Sequence, residues 1–261
     1  MIKAMYTAAT GMDAQTIRID TIANNLANAD TTGFKKSQVD FADLMYVVMR
    51  LPGGTQTESP QMPTGLEIGS GVTPVSTLKI FTMGSIANTA GQLDLAINGE
   101  GFFQLDTPSG EIRYSRDGNF RASADGRIVN SQGYPISPSM SVPSDATSIS
   151  VGSDGTVTAT TPSAVASVIG NIQLARFTNP AGLSSEGGNM FVETAASGPA
   201  TTGTPGQVGL GEIEQGYLEM SNVEVVKELV DLIIAQRTYE LNSKVVKAGD
   251  RVLQVVNTMT G

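Results

Sequence analysis

Cysteine, histidine and tryptophan are all absent from the 261-residue sequence. Their absence removes the thiolate nucleophile, the imidazole base and the commonest transition-metal ligands together. Without cysteine no disulfide framework can form, so the fold suits reducing and oxidising surroundings alike. Basic residues are also scarce: 16 Lys and Arg face 25 Asp and Glu, a net charge of −9. They nowhere cluster, which excludes nucleic acid as a partner, because phosphate affinity comes from grouped Lys and Arg. No run of about 18 apolar residues occurs, so no direct membrane insertion is expected. The start, Met1 to Tyr6, lacks the basic-then-apolar pattern of a cleaved secretory signal.

Chemistry based on carboxylates alone finds little support. Asp106-Thr107-Pro108-Ser109 is only faintly like an aspartic-protease loop, and that mechanism needs two such loops sharing a proton. Asp117, Asp125 and Asp154 fall in Asp-Gly turns and not in a calcium loop with a ligand at every second residue. Gly69-Ser70-Gly71 lacks the third glycine and helix start of a dinucleotide site. No catalytic, cofactor-binding or metal site is assigned, and the chain is read as a non-enzyme.

What the sequence does contain is periodicity at its two ends. From Ile2 to Leu26 a heptad runs unbroken, with Ile2, Ala9, Thr16 and Ala23 in one column and Met5, Met12, Ile19 and Leu26 in the other. Near the C-terminus Val223, Val226, Val230, Ile233, Leu241, Val245, Ala248, Val252, Val255 and Met259 form a stripe of period 3.6, broken only by Arg237. A second column, Leu218, Val225, Leu232, Tyr239, Val246 and Leu253, repeats every seventh residue, and Leu229 lies beside it. Acidic residues from Glu212 to Asp231 precede basic ones from Arg237 to Arg251, as the dipole of one continuous helix favours, with Ser221 or Asn222 as N-cap. Such a helix, about 60 Å long, is too long for one small domain to cover. Burying a dozen of its aliphatic side chains contributes on the order of 20 kcal/mol before entropy is charged, so neighbouring chains are the expected cover. A helix packed within its own domain and a conventional dimeric coiled coil remain alternatives to a filament.

Between the helices the pattern changes. After Leu26, the cluster Asn28-Ala29-Asp30-Thr31-Thr32-Gly33 ends the first helix, and Asn24, Asn25 and Asn28 can bond exposed carbonyls or another chain. Leu51 to Pro63 shows neither period and reads as part of a long loop at 46–71. From Leu93 onward short apolar runs alternate with Asn98-Gly99, Asp117-Gly118, Asp125-Gly126, Gln132-Gly133 and Asp154-Gly155, the signature of short antiparallel strands. Leu93 to Ile97 and Phe102 to Leu105 read as the two arms of a hairpin. The expectation is an α+β chain: a helical assembly domain of 1–36 with 215–261, a connecting segment at 37–92, and a central all-β domain with its return linker at 93–214. The two long terminal helices form an intermolecular coiled-coil layer in this reading.

Four runs carry a family resemblance. Ala23-Asn24-Asn25-Leu26-Ala27-Asn28-Ala29-Asp30-Thr31-Thr32-Gly33-Phe34-Lys35 is similar to the N-terminal signature of bacterial flagellar rod and hook proteins. Ser221-Asn222-Val223-Glu224, continued at Gln236-Arg237-Thr238-Tyr239-Glu240, resembles their C-terminal signature. Ala96-Ile97-Asn98-Gly99-Glu100-Gly101-Phe102-Phe103 and Tyr114-Ser115-Arg116-Asp117-Gly118-Asn119-Phe120 resemble their central block. Length and the 46–71 loop match the distal-rod members, with a proximal rod subunit as the nearest alternative and a secreted oligomeric adhesive protein as a more distant one.

The resemblance implies a drive-shaft subunit that polymerises as an open helix, with terminal helices inside and the β domain outside. It implies contacts with proximal rod proteins, the hook protein and the P-ring and L-ring proteins. It also implies transit through the flagellar type III export apparatus and residence in the basal body within the periplasm. Assembly residues are then expected at Ile2, Met5, Met12, Ile19, Asn24, Asn25, Leu26, Asn28, Gly33 and Phe34. On the C-terminal side they are Leu218, Val225, Leu229, Leu232, Ile233, Gln236, Arg237, Tyr239, Glu240, Val246 and Leu253. An inter-subunit loop carries Pro52, Gly53, Gly54, Pro60, Pro63 and Gly65. Because uncovered apolar helices gain little from folding alone, limited proteolysis of dilute monomer is expected to trim both ends to a core near residues 40–210; uniform resistance would contradict this.

Overall fold

The computed structural model describes residues 2–50, 64–162, 166–207 and 209–260. The chain divides into two compact units: Met1–Leu26, Ser37–Leu78 and Val225–Gly261 form the first, and Ala27–Lys36 with Lys79–Glu224 the second.

The first unit is built on two helices, α1 (Ile2–Ala27) and α2 (Val225–Thr260). They are antiparallel: Met5 meets Gly249, Gly11 meets Asn242 and Arg18 bonds Asp231 at 3.2 Å. The seam is made of small side chains, Ala8, Gly11 and Ala14 on α1 and Ala235 and Gly249 on α2, which let the helix backbones approach closely. A Cβ on Gly11 would stand 2.7 Å from Asn242 Nδ2, and one on Gly249 2.7 Å from Met5 Cγ. Strands β1 (Ser37–Asp43), β2 (Val47–Arg50), β3 (Leu66–Ile68) and β4 (Val72–Lys79) complete this unit. β1 pairs with β4, and β2 pairs antiparallel with β3. Two polar contacts tie this ribbon to α1: Lys3 Nζ donates to the Ile68 carbonyl at 3.0 Å, and the Val72 N–H donates to Thr10 Oγ1 at 3.4 Å.

The second unit is all β apart from a 3-10 turn at Pro180–Gly182. In chain order its strands are β5 (Ile86–Asn88), β6 (Leu95–Asn98), β7 (Phe102–Asp106), β8 (Ile112–Ser115), β9 (Arg121–Ala122), β10 (Ile128–Val129), β11 (Ser148–Val151) and β12 (Thr156–Thr160). There follow β13 (Ala166–Asn171), β14 (Leu174–Arg176), β15 (Ser184–Gly187), β16 (Met190–Val192), β17 (Thr201–Gly203), β18 (Glu212–Gln215) and β19 (Tyr217–Glu219). The principal sheet has the order β15-β16-β8-β7-β14-β17, and all its pairings are antiparallel. A second sheet runs β11-β12-β13, while β18 pairs with β6 and β19 with β5.

Side-chain alternation explains the core. On β7, Phe103 and Leu105 point into a cluster with Leu174, Phe120, Ile136, Ile172 and Ile213; Phe102 points the other way, to Tyr114, Ala175, Phe177 and Phe191. The sheet is thus buried on both faces, which is why Phe102-Phe103-Gln104-Leu105 is buried throughout and not at alternate positions. Edge-to-face ring pairs fix the packing, Phe103 on Phe120 at 5.2 Å and Tyr114 on Phe177 at 4.7 Å between centroids.

Several expectations need correction. β6 and β7 are not arms of one hairpin: β6 pairs with β18, from far along the chain, and β7 with β8 and β14. Gly99 and Gly101, at φ 126° and 137°, redirect the chain between sheets, a conformation no two-residue hairpin turn uses. The continuous helix begins only at Val225, so Leu218 lies buried in β19, off the helical column. Asn222 does not cap α2; its side chain accepts the Lys36 N–H at 2.8 Å and donates to the Ile80 carbonyl at 2.8 Å. The segments 27–36 and 215–224, expected with the helices, belong to the β unit, and 37–78 joins the helices. The Asp125-Gly126 and Asp154-Gly155 turns do join antiparallel pairs, β9 to β10 and β11 to β12.

Replacing Phe103 by Ala is expected to destabilise the protein by about 3–5 kcal/mol, because the ring is fully buried and the sheet around it cannot collapse into the void. Urea denaturation followed by far-UV circular dichroism measures it; a loss below ~1 kcal/mol would contradict this account of the core.

Candidate assembly surfaces

At 100° per residue, the C-terminal stripe of period 3.6 is centred about a third of a turn round α2 from the α1 seam. Its members include the four most exposed large apolar side chains of the helix: Val226 is 77% exposed, Ile233 57%, Leu241 60% and Met259 81%. Val230, Val245, Val252 and Val255 continue the same face. The first unit leaves this face exposed among the described residues, most fully at Val226 and Met259. The heptad column lies nearer the seam: Leu232 and Val246 are half-buried, whereas Val225, Leu229, Tyr239 and Leu253 are exposed at the edges. Gln236, Arg237 and Glu240 are exposed, with Arg237 donating to Glu240 at 2.8 Å.

The buried residues of α1 are Ala8, Ala14, Ile22 and Asn25, none of them in a heptad column, although Met5 of the second column packs on Gly249. The Met5 column sits roughly a quarter turn from that face and the Ile2 column nearly half a turn from it. Met5, Met12, Ile19 and Leu26 are half-buried and Ile2 is exposed. Asn24 is exposed at the end of the helix, and Asn28 is half-buried in the turn that follows. Asn25 is buried and fully used inside the first unit: its amide donates to the Ser37 carbonyl at 2.8 Å and to Glu228 at 3.2 Å, and its Oδ1 accepts the Ser37 N–H at 2.9 Å. It pins the exit of α1 to β1 and to the first turn of α2. The β2–β3 ribbon presents Met45, Tyr46, Val48, Met49 and Leu66 to solvent. Of the expected inter-subunit loop, Gly65 is exposed; Pro52, Gly53, Gly54, Pro60 and Pro63 lie outside the described residues.

Gly33 and Phe34 occupy a different setting, in the second unit. Gly33, at φ +66°, donates its N–H to the Glu219 carbonyl at 2.8 Å, and a Cβ there would stand 2.5 Å from the Asp117 backbone nitrogen. Beside it lies a charge cluster that sequence reading did not single out. Lys35 Nζ bonds Glu219 Oε1 at 2.5 Å and the Thr82 carbonyl at 2.7 Å. Arg116 reaches Glu219 Oε2 at 3.2 Å and the carbonyls of Ile97 and Gly99 at 3.4 and 2.7 Å. The three side chains are 0%, 1% and 4% exposed for Lys35, Glu219 and Arg116. Burial lowers the pKa of both Lys35 and Arg116, and the Glu219 carboxylate opposes that shift. The available signal was Lys35 and Arg116 inside the family-like runs and Glu219 two residues before another; apolar periodicity passes over them because it scores apolar positions.

Next to the cluster, burial pushes the Asp117 carboxyl above the ordinary carboxylate range, against the pull of its donors Thr32 and Asn119. Among the described residues no three acidic side chains stand close enough to hold a metal ion, and no helix is long and apolar enough to cross a membrane.

Residues 5–35 match the model of the flagella basal body rod protein, 96–159 that of the flagellar hook protein FlgE/F/G D1 domain, and 214–259 that of the flagellar basal body rod FlgEFG protein C-terminal. The flagellar basal-body rod protein FlgG of Buchnera aphidicola subsp. Schizaphis graminum is 44% identical, over 99% of this chain and all of that one. Those of Borreliella burgdorferi and Bacillus subtilis are 41% and 35% identical, over 99% and 97% of both chains. The chain belongs to the flagellar basal-body rod protein family. It is a structural subunit of the flagellar basal body, part of the distal rod.

Asp117→Asn tests the buried carboxyl. Both donors, Thr32 Oγ1 at 2.8 Å and the Asn119 N–H at 3.2 Å, go to Oδ1, which asparagine keeps. A carboxyl whose folded pKa is raised contributes stability at acid pH that is lost as pH rises through that pKa. The variant is therefore expected to melt above the parent at pH 7, with the gap closing towards pH 4; a gap independent of pH would refute the assignment.

Proposed function

We propose that the chain builds the distal rod by polymerising through the uncovered faces of α1 and α2, and that the long helices form an intermolecular layer. The observation that carries this reading is the stripe from Val226 to Met259: an apolar face on a helix of 36 residues, about 54 Å long, left exposed by its own unit. Burying such a face gains roughly 25 cal/mol per Å² of apolar area, so a second copy presenting the complementary edge of its helices is a favourable cover. Repeated head-to-tail, a contact of this kind does not close and generates an open helix. Torque is then carried by side-by-side helix packing, with no substrate consumed.

The exposed β2–β3 ribbon supports a second contact. A two-stranded ribbon is marginal in water by itself, and apolar residues on both strands call for a neighbouring subunit against it. The expected loop at 46–71 contains this ribbon, and Gly65 beside β3 belongs to this contact, as do the α1 column residues Ile2, Met5, Met12 and Ile19. In this reading the ends of the rod meet proximal rod proteins and the hook protein, and its flanks meet the P-ring and L-ring proteins. The subunit reaches the periplasm unfolded through the flagellar export apparatus.

Ile233→Asp places a charge in the centre of the uncovered stripe without touching the α1 seam, which Leu232→Asp would disturb because Leu232 is half-buried there. The expected outcome is loss of polymers in electron micrographs of concentrated protein and loss of motility on complementation. The melting transition of the β unit should be unchanged. Normal polymers from this variant would refute the stripe as the assembly face.

A further inference from the structure

The Lys35–Glu219–Arg116 cluster joins parts of the chain that are far apart in sequence: Lys35 and Glu219 are separated by 184 residues, Arg116 and Glu219 by 103. Lys35 lies on the segment that follows α1, Glu219 on the segment that precedes α2, and Arg116 between β8 and β9. Backbone bonds run alongside. Gly33 donates to Glu219, Lys36 to Asn222 Oδ1 at 2.8 Å, Gly84 to Glu219 Oε1 at 2.9 Å and Met220 to Ser85 at 2.8 Å.

The arithmetic of charge is unequal. One carboxylate serves two cations, and among the described residues Arg116 Nε, also buried, finds no acceptor. A buried ion group of this kind adds little net stability, since desolvation consumes most of the Coulombic gain; removing one partner is what costs heavily. Its value lies in discrimination. If the segment 31–36 docked on the β unit before residues 217–222 arrived, Lys35 and Arg116 would be buried together with no counter-charge. If residues 217–222 docked first, Glu219 would still meet Arg116.

We infer that this cluster is a one-way latch: Glu219 admits the Lys35 segment, which follows α1, to the β unit only once the C-terminal segment, which precedes α2, is in place on Arg116. Gly33 and Asn222 set their register, Gly33 through its backbone bond to Glu219 and Asn222 through Lys36, Ile80 and Thr82. The device needs no ligand, and it would keep a chain whose C-terminal part is still missing from presenting a half-docked N-terminal segment.

The test is a charge cycle in the full-length monomer, read by hydrogen exchange at the Gly33, Lys36, Gly84 and Met220 amides. Glu219→Gln strands two buried cations and is expected to reduce protection at both segments together by about 10²- to 10³-fold. Lys35→Met leaves Glu219 balanced by Arg116, and less than tenfold is expected. The double variant removes one cation along with the carboxylate, and should regain at least tenfold of the protection lost in Glu219→Gln. Should Glu219→Gln fail to fold, recovery of a protected core in the double variant still supports the latch. The inference is overturned if Lys35→Met is as damaging as Glu219→Gln, if only one segment is released, or if the double variant is no better than Glu219→Gln. Those outcomes would mean simple packing, where the identity of the missing charge is irrelevant.

Discussion

A carboxylate removed from water must be met by cations or it drives the structure apart, and Glu219 is met from two sides by groups that the sequence holds far away. Once the segment after α1 and the segment before α2 lie on the β unit, losing any one of these partners leaves a buried charge unmet. The antiparallel helix pair begins where those segments end. In the first unit Asn25 makes the matching connection, binding Ser37 and Glu228 at the point where α1 stops and α2 starts. Polar groups thus mark where α1 ends and α2 begins, while small residues along the seam let the two run close together.

Those small residues also shape what remains outside. Because Ala8, Gly11, Ala14, Ala235 and Gly249 make the intramolecular seam, the larger apolar side chains are not consumed by it. Met5, Met12 and Ile19 are left half-covered, and Val226, Ile233, Leu241 and Met259 stand in solvent. A lone globular protein would place its largest apolar groups in its closest contact. Here the arrangement is reversed, which supports the contacts between copies proposed above.

The β unit is conventional by comparison. Its main sheet is covered on both faces, its strands alternate into two aromatic and aliphatic clusters, and glycine at positive φ handles the turns. Gly33 shows how tightly backbone and function are joined: no other residue fits both its left-handed conformation and the approach of Asp117. The run containing it, Asp30-Thr31-Thr32-Gly33-Phe34-Lys35, is as much an intramolecular docking motif as the end of a helix.

Local pattern was enough for much of this. The two terminal helices, the short antiparallel strands between them and the apolar stripe on α2 were legible because periods of 3.6 and 2 depend on near neighbours in sequence. The family resemblance was legible for the same reason, being carried by contiguous runs. What only the tertiary structure decided was partnership at a distance: that β6 joins β18 and not β7, that Leu218 lies in a strand, that the α1 seam is its small-residue face, and that Lys35, Arg116 and Glu219 neutralise one another. Periodicity reports which face of an element is apolar; which side chains meet across a hundred residues is fixed by loop closure, packing and the cost of burying charge, and none of those is written in adjacent letters.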